Sequence, residues 1–183
     1  MAHGGHHSHS HSHHHHYHRS GSGSSSGVEL AICIIAILVF LFISAISSDI
    51  SGKKPLEGTY ETYSSYVIDK EEYFSNTNEL ISGLKDLHEK TNVQIVVMSS
   101  HDSWSDRKVE EKYYEMFNDE AHILLVIPVG WFSSTEYYAI GDLANTVIGD
   151  REIDYLLDFI NGSNDGSKWN KKLTEFTEIL LSE

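Results

Sequence analysis

Ten of the chain's thirteen histidines fall between His3 and His18, in the run HGGHHSHSHSHHHHYH. A neutral imidazole is a good ligand for borderline divalent ions, and several imidazoles on one pliable strand can share an ion. The alternating His7, His9 and His11 and the consecutive His13, His14, His15 and His16 are therefore candidate donors for Zn²⁺ or Ni²⁺. Such sites would be loose and interchangeable, because the segment has almost no apolar side chain to fix it in one shape. A solubilising low-complexity tail and a purification tag are the competing readings. The interruptions in the histidine run favour a native tail.

The second set of candidates is carboxylate. Asp69 follows a short β-branched segment whose end is the place where α/β sheets commonly bind ligands. Asp102 closes the run Ser99-Ser100-His101-Asp102 after another strand end, and Asp142 stands just after Gly141. Gathered together, Asp69, Asp102 and Asp142 would suit a hard cation such as Ca²⁺ or Mg²⁺, which takes several oxygens. Each also has a plainer reading: Asp69 as the cap of the turn Lys70-Glu71-Glu72, Asp142 as a helix cap, and Ser99 to Asp102 as a solvated turn. A hydroxyl, an imidazole and a carboxylate that are neighbours in sequence make a relay only if the fold aligns them. His88 and His122, on an apolar helix face and at a strand start, read as packed side chains. The chain has no glycine-rich phosphate loop, His-Glu-x-x-His pair or Gly-x-Ser-x-Gly elbow, so no catalytic or organic-cofactor residue is assigned.

Charge narrows the partners. All but Arg19 of the 13 basic residues and all but Glu29 of the 27 acidic ones lie from Asp49 onward, so the formal −14 belongs to that part. Nucleic acid is excluded as the main partner, since phosphate contacts rely on Lys and Arg. A cation or a basic protein is favoured. The single cysteine, Cys33, sits in an apolar run, which leaves no disulfide framework and no thiol nucleophile elsewhere.

That apolar run, LAICIIAILVFLFISAI from Leu30 to Ile46, has no charged residue over seventeen positions. A helix over 28–47 would cover about 30 Å at 1.5 Å per residue, the thickness of a bilayer's hydrocarbon core. It reads as an uncleaved single membrane span, with a cleavable signal peptide ending near Ala45-Ile46-Ser47 as the alternative. The flanks leave orientation open, because Arg19 on one side is opposed by Lys53 and Lys54 on the other. The chain therefore divides into a His/Ser/Gly tail at 1–27, a span at 28–47, a linker at 48–62 and one domain at 63–183.

Within the domain, strands are expected at Tyr63–Asp69, Val93–Ser99, His122–Pro128 and Glu136–Ile140, the last antiparallel to its predecessor because the connection is too short for a crossover helix. A first helix opens on a capping box of Asn76 with Glu79 and ends near Asn92. A second, capped by Ser105 or Asp106, turns Val109, Tyr113, Met116 and Phe117 inward. Leu143 and Val147 mark a helix or turn, and two further helices use Ile153, Leu156, Leu157 and Ile160, then Trp169, Leu173, Phe176 and Leu180. The class is α/β, a layered sandwich with a mixed four-stranded sheet and helices on both faces. Trp131-Phe132, between two strands, is an aromatic pair suited to docking a partner or the membrane interface.

Four stretches in this order carry a resemblance: Val67-Ile68-Asp69, the run LHEKTNVQIVV from Leu87 to Val97, Ile123 to Ile127, and Tyr138-Ala139-Ile140-Gly141. Over about 120 residues, from Tyr66 to the end, the chain resembles the TPM domain family of thylakoid acid phosphatase, photosystem II repair proteins and membrane-anchored bacterial proteins. In place of the alanine, aspartate and glycine-containing loop usual there, this chain has VEEKYYEMF at 109–117, and only Asn118–Ala121 before His122. The resemblance implies an α/β sandwich held outside the cytoplasm beside a membrane. The expected function is an anchored interaction or assembly module with a protein partner. The alternatives are a metal-assisted acid phosphatase built on Asp69, Asp102 and Asp142, and metal binding by the tail.

Overall fold

Two apolar, β-branched runs make the centre of the sheet. We label the strands β1 (Val67–Ile68), β2 (Gln94–Ser100), β3 (His122–Pro128) and β4 (Tyr137–Ile140), and the helices α1 (Thr77–Thr91), α2 (Asp106–Met116), α3 (Asp142–Asn145), α4 (Asp150–Ile160) and α5 (Gly166–Leu181). β2 and β3 pair in parallel along their whole length, from Gln94 opposite His122 to Ser100 opposite Pro128. β1 adds in parallel to β2, and β4 adds antiparallel to β3 with Ile140 opposite Ile123. The result is a mixed four-stranded sheet in the order β1-β2-β3-β4.

The computed structural model describes residues 51–130 and 136–182. All of these fall in one of the chain's two units, Phe42–Glu183. The histidine tail, the apolar run at 28–47 and Trp131-Phe132 lie outside the described residues. Among the described residues, no helix is long and apolar enough to cross a membrane.

Alternation along the strands sends side chains to two cores. Ile95, Val97, Ile123, Leu125 and Ile127 face α1, α4 and α5 through Leu80, Leu84, Leu87, Leu156, Phe176 and Leu180. Val96, Met98, Leu124 and Val126 face α2 through Val109 and Tyr113, with Phe117 alongside. Helices thus cover both faces, as the alternation of strand and helix predicts. Both crossovers step the same way across the sheet, from β1 to β2 to β3, yet α1 lies on one face and α2 on the other. They are therefore of opposite hand, and one of them is the left-handed form that parallel crossovers rarely adopt.

Local differences from expectation have local causes. The strand expected from Tyr63 to Asp69 pairs only at Val67–Ile68. Further back, the Gln94 side chain replaces the ladder: its Oε1 accepts from the Tyr63 amide at 2.7 Å and its Nε2 donates to the Tyr63 carbonyl at 3.0 Å. The capping box of Asn76 with Glu79 does not form. Asn76 adopts a left-handed φ of 51° with no side-chain cap, and its amide donates to Asp165 at 2.9 Å. Glu79 accepts from Asn170 at 2.9 Å. Both side chains tie α1 to α5 and the turn before it, an interaction between residues far apart in sequence. In α2, Ser105 supplies the cap, accepting from the Lys108 amide. Met116 is only partly buried, and Phe117 packs from just beyond the helix end.

The described part of the expected linker lies on the domain. The Gly52 and Lys53 amides donate to the Ser182 and Leu180 carbonyls, and the Leu56 amide to that of Thr91. Asn92 Nδ2 donates to the Leu56 and Gly58 carbonyls at 3.0 and 3.1 Å, and the Glu61 amide donates to Asp119 Oδ2 at 2.8 Å. Lys53 also pairs with the buried Glu152 at 3.1 Å. Thr91, Gln94 and Asp119 all sit where β2 and β3 begin, so residues 52–63 enter the domain at the amino end of the parallel strands.

Candidate binding site at the carboxyl end of the sheet

The chain leaves β1 toward the face that α1 covers and leaves β2 toward the face that α2 covers. Connections that part in this way open a crevice at the carboxyl ends of the two strands, the usual ligand position in open α/β sheets. Asp69 stands in it, half-buried. Its Oδ1 accepts from the Tyr73 amide at 2.9 Å and from the Ser99 hydroxyl, and its Oδ2 accepts from the Phe74 amide at 2.9 Å. The carboxylate folds the loop of residues 70–74 around itself and ties it to the end of β2. That is the turn-capping role open to it in the sequence.

Ser99 and Ser100 belong to β2 itself, and the four residues Ser99 to Asp102 form no relay. The Ser99 hydroxyl is donated to Asp69. Ser100 Oγ accepts from the Asp102 amide at 3.1 Å. His101 Nδ1 donates to the Val129 carbonyl at 2.6 Å, while its Nε2 lies 3.4 Å from Glu71 Oε2. His101 therefore straps together the loops that follow β1, β2 and β3.

The three expected carboxylate ligands do not share a site. Asp69 and Asp102 follow the carboxyl ends of β1 and β2, but Asp142 is the first residue of α3, just after Ile140, which pairs with Ile123 near the start of β3. Antiparallel β4 returns the chain to the opposite end of the sheet. The four-residue step from Ile123 to Ile127 alone spans about 13 Å at roughly 3.3 Å per residue. Asp142 is exposed, and its amide donates to Glu120 Oε2 at 3.2 Å. Among the described residues, no group of three or more His, Cys, Asp and Glu side chains is placed to hold a metal ion.

The two histidines given no role are packed, each with a polar partner. His88 Nδ1 lies 2.7 Å from the Tyr66 hydroxyl. Burial, aided by the nearby His122 and opposed by Glu89, holds the His88 pKa below its usual 6.5. His122 stacks on Phe117, ring centroids 4.4 Å apart, and its Nδ1 is 2.8 Å from Asp119 Oδ1. Burial of Asp119 favours its neutral form, but the Ala121 and Glu61 amides and the His122 ring outweigh that and hold its pKa below 3.8.

Sequence reasoning did not find the cavity beside the crevice. It measures about 350 Å³ and lies at the carboxyl end of β3, on the side of α4 and α5. Ile127, Leu157, Ile160 and the buried Trp169 line it with apolar surface. Tyr73, Glu136, Asp158, Asn161 and Ser163 supply its polar atoms, and among the described residues no Lys, Arg or His lines it. Burial and then the charge of Glu136 push the Tyr73 pKa above 10. These residues come from five separate segments, so no local pattern announces them. The helical periodicity of α4 buries Leu156 and Ile160 and leaves Asp158 on its exposed face, at the rim of the cavity.

No protein-family model matches the chain, and no curated protein matches it. Among solved structures, two solution NMR structures are similar to it. One is the N-terminal domain of the cg2496 protein from Corynebacterium glutamicum, at 11% identity and a TM-score of 0.48, covering 69% of this chain and 84% of that one. The other is the N-terminal domain of a protein from P. gingivalis, at 12% identity and a TM-score of 0.47, covering 64% of this chain and 83% of that one.

Proposed function

We propose that this chain is a single-pass membrane protein whose acidic, TPM-like domain works outside the cytoplasm as an interaction or assembly module without catalysis. The observation that carries the reading is the state of Asp69. The acid best placed for chemistry is occupied by two backbone amides and the Ser99 hydroxyl, all from the protein itself. A carboxylate with three of its roughly four acceptor positions filled by the protein organises a loop and keeps little capacity for a substrate or ion. Two further features support a recognition role. Residues 52–63 enter at the amino end of the sheet, so this segment does not cover the crevice and cavity at the carboxyl end. The formal charge of −14 selects a basic protein partner over nucleic acid.

The test is phosphate release from an aryl phosphate by the full chain in detergent micelles, with Ca²⁺, Mg²⁺ or Mn²⁺ supplied in turn. The module reading expects no turnover above buffer. Turnover abolished by Asp69→Asn and spared by a change at the exposed Lys171 would overturn it.

A further inference from the structure

We propose that the cavity bounded by Glu136, Asp158 and Trp169 is a receptor for a lysine side chain presented by a basic segment of a protein partner. The inference rests on the interaction-module reading and adds to it the site and the chemistry recognised. At about 350 Å³ the cavity is of the size that holds small ligands. Its surface has two parts with different demands. On its apolar side the partly buried Leu157 and the last exposed part of Ile127, backed by the buried Trp169, gain by covering hydrocarbon. Glu136 and Asp158 bring two negative charges, and neither makes an ion pair among the described residues.

A bare divalent cation would satisfy the carboxylates but gain nothing from the apolar wall. An uncharged apolar group would leave the half-buried Glu136 carboxylate without a counter-charge. A lysine meets both demands, because its four-carbon stem lies along apolar surface while its ammonium donates up to three hydrogen bonds. Asn161 contributes a further polar side chain to the same lining. Selection over an equally long neutral side chain comes from charge complementarity, which suits a domain as acidic as this one.

The experiment follows the methyl resonances of Ile127, Leu157 and Ile160 in the full chain in detergent micelles. The probe is a five-residue peptide with one central lysine between serines and glycines, and the control is the same peptide acetylated at Nε. Saturable shifts at these methyls are expected with the lysine peptide. Binding should weaken at least tenfold on Nε-acetylation and at least tenfold in the Glu136→Gln, Asp158→Asn double variant, whose remaining spectrum should report an unchanged fold. Asp154→Asn removes a neighbouring charge that does not line the cavity and should leave binding within twofold. Absence of saturable shifts, equal binding of the acetylated peptide, or equal loss in Asp154→Asn would overturn the assignment. Failure here with no phosphate release in the preceding assay overturns the cavity alone, whereas phosphate turnover overturns the module reading whatever the peptide does.

Discussion

Ser99 donates its hydroxyl hydrogen to Asp69 across the crevice between β2 and β1, joining residues thirty positions apart. The bond makes the end of β2 part of the same hydrogen-bonded unit as the loop into α1, because the same carboxylate also accepts from the Tyr73 and Phe74 amides. Removing the carboxylate in Asp69→Ala orphans two amides and a hydroxyl, at a cost of about 2–4 kcal/mol. Asp69→Asn retains one acceptor oxygen and should cost less. Urea unfolding of the two variants checks this, and an Asp69→Ala protein as stable as the parent would show that the carboxylate does not organise the loop.

Gly83 lets α1 approach α5 closely. A Cβ at this position would stand 2.8 Å from Asn170 Cα and 3.1 Å from a Leu173 methyl. Backbone cannot give way as a flexible side-chain end can, so Gly83→Leu must push the helices apart, at about 1–3 kcal/mol or more. The expected result is a lower urea midpoint with an unchanged slope. An unshifted midpoint would mean that the helices are not held at this separation.

His88 makes stability depend on pH in a definite direction. Its folded pKa lies below the 6.5 of a free histidine. The unfolded chain therefore binds this proton first, and stability is full above 6.5 and falls as the pH drops from there toward the folded value. The ring titration followed by NMR should have its midpoint below 6.5. His88→Gln should flatten the unfolding free energy over that window, and an unchanged slope would assign the pH dependence to other groups.

Much of the scaffold was legible because it rests on local pattern. The bounds of β3, the antiparallel return of β4 and the stop of α4 at Asn161 follow from β-branched runs, connection length and a residue tolerant of the left-handed φ of 51° seen there. What stayed hidden depends on partners far away in sequence. Asn76 and Glu79 have the spacing of a capping box, but α5 and the turn before it offer them Asp165 and Asn170 instead. Asp142 looked like a companion of Asp69 because both follow strands, yet the antiparallel direction of β4 sends it to the other end of the sheet. The cavity has no local signature at all, since Tyr73, Ile127, Glu136, Asp158 and Trp169 meet only through tertiary packing.

Membrane orientation gives a further prediction. With the histidine tail in the cytoplasm and the domain outside, protease added to intact cells should remove the domain and spare an epitope placed before His3. The opposite pattern would reverse the orientation and expose the ten histidines of the tail to external metal ions.

The most direct test of the central claim is photo-crosslinking in native membranes, with a photoreactive residue placed in the full chain at Asn161 or Asp102, at the carboxyl end of the sheet, or at Glu57, on the segment bound at the amino end. An interaction module that recognises its partner through the carboxyl end should give discrete protein adducts from Asn161 and Asp102 and none from Glu57. Adducts absent from both carboxyl-end positions, or formed equally from Glu57, would contradict the account.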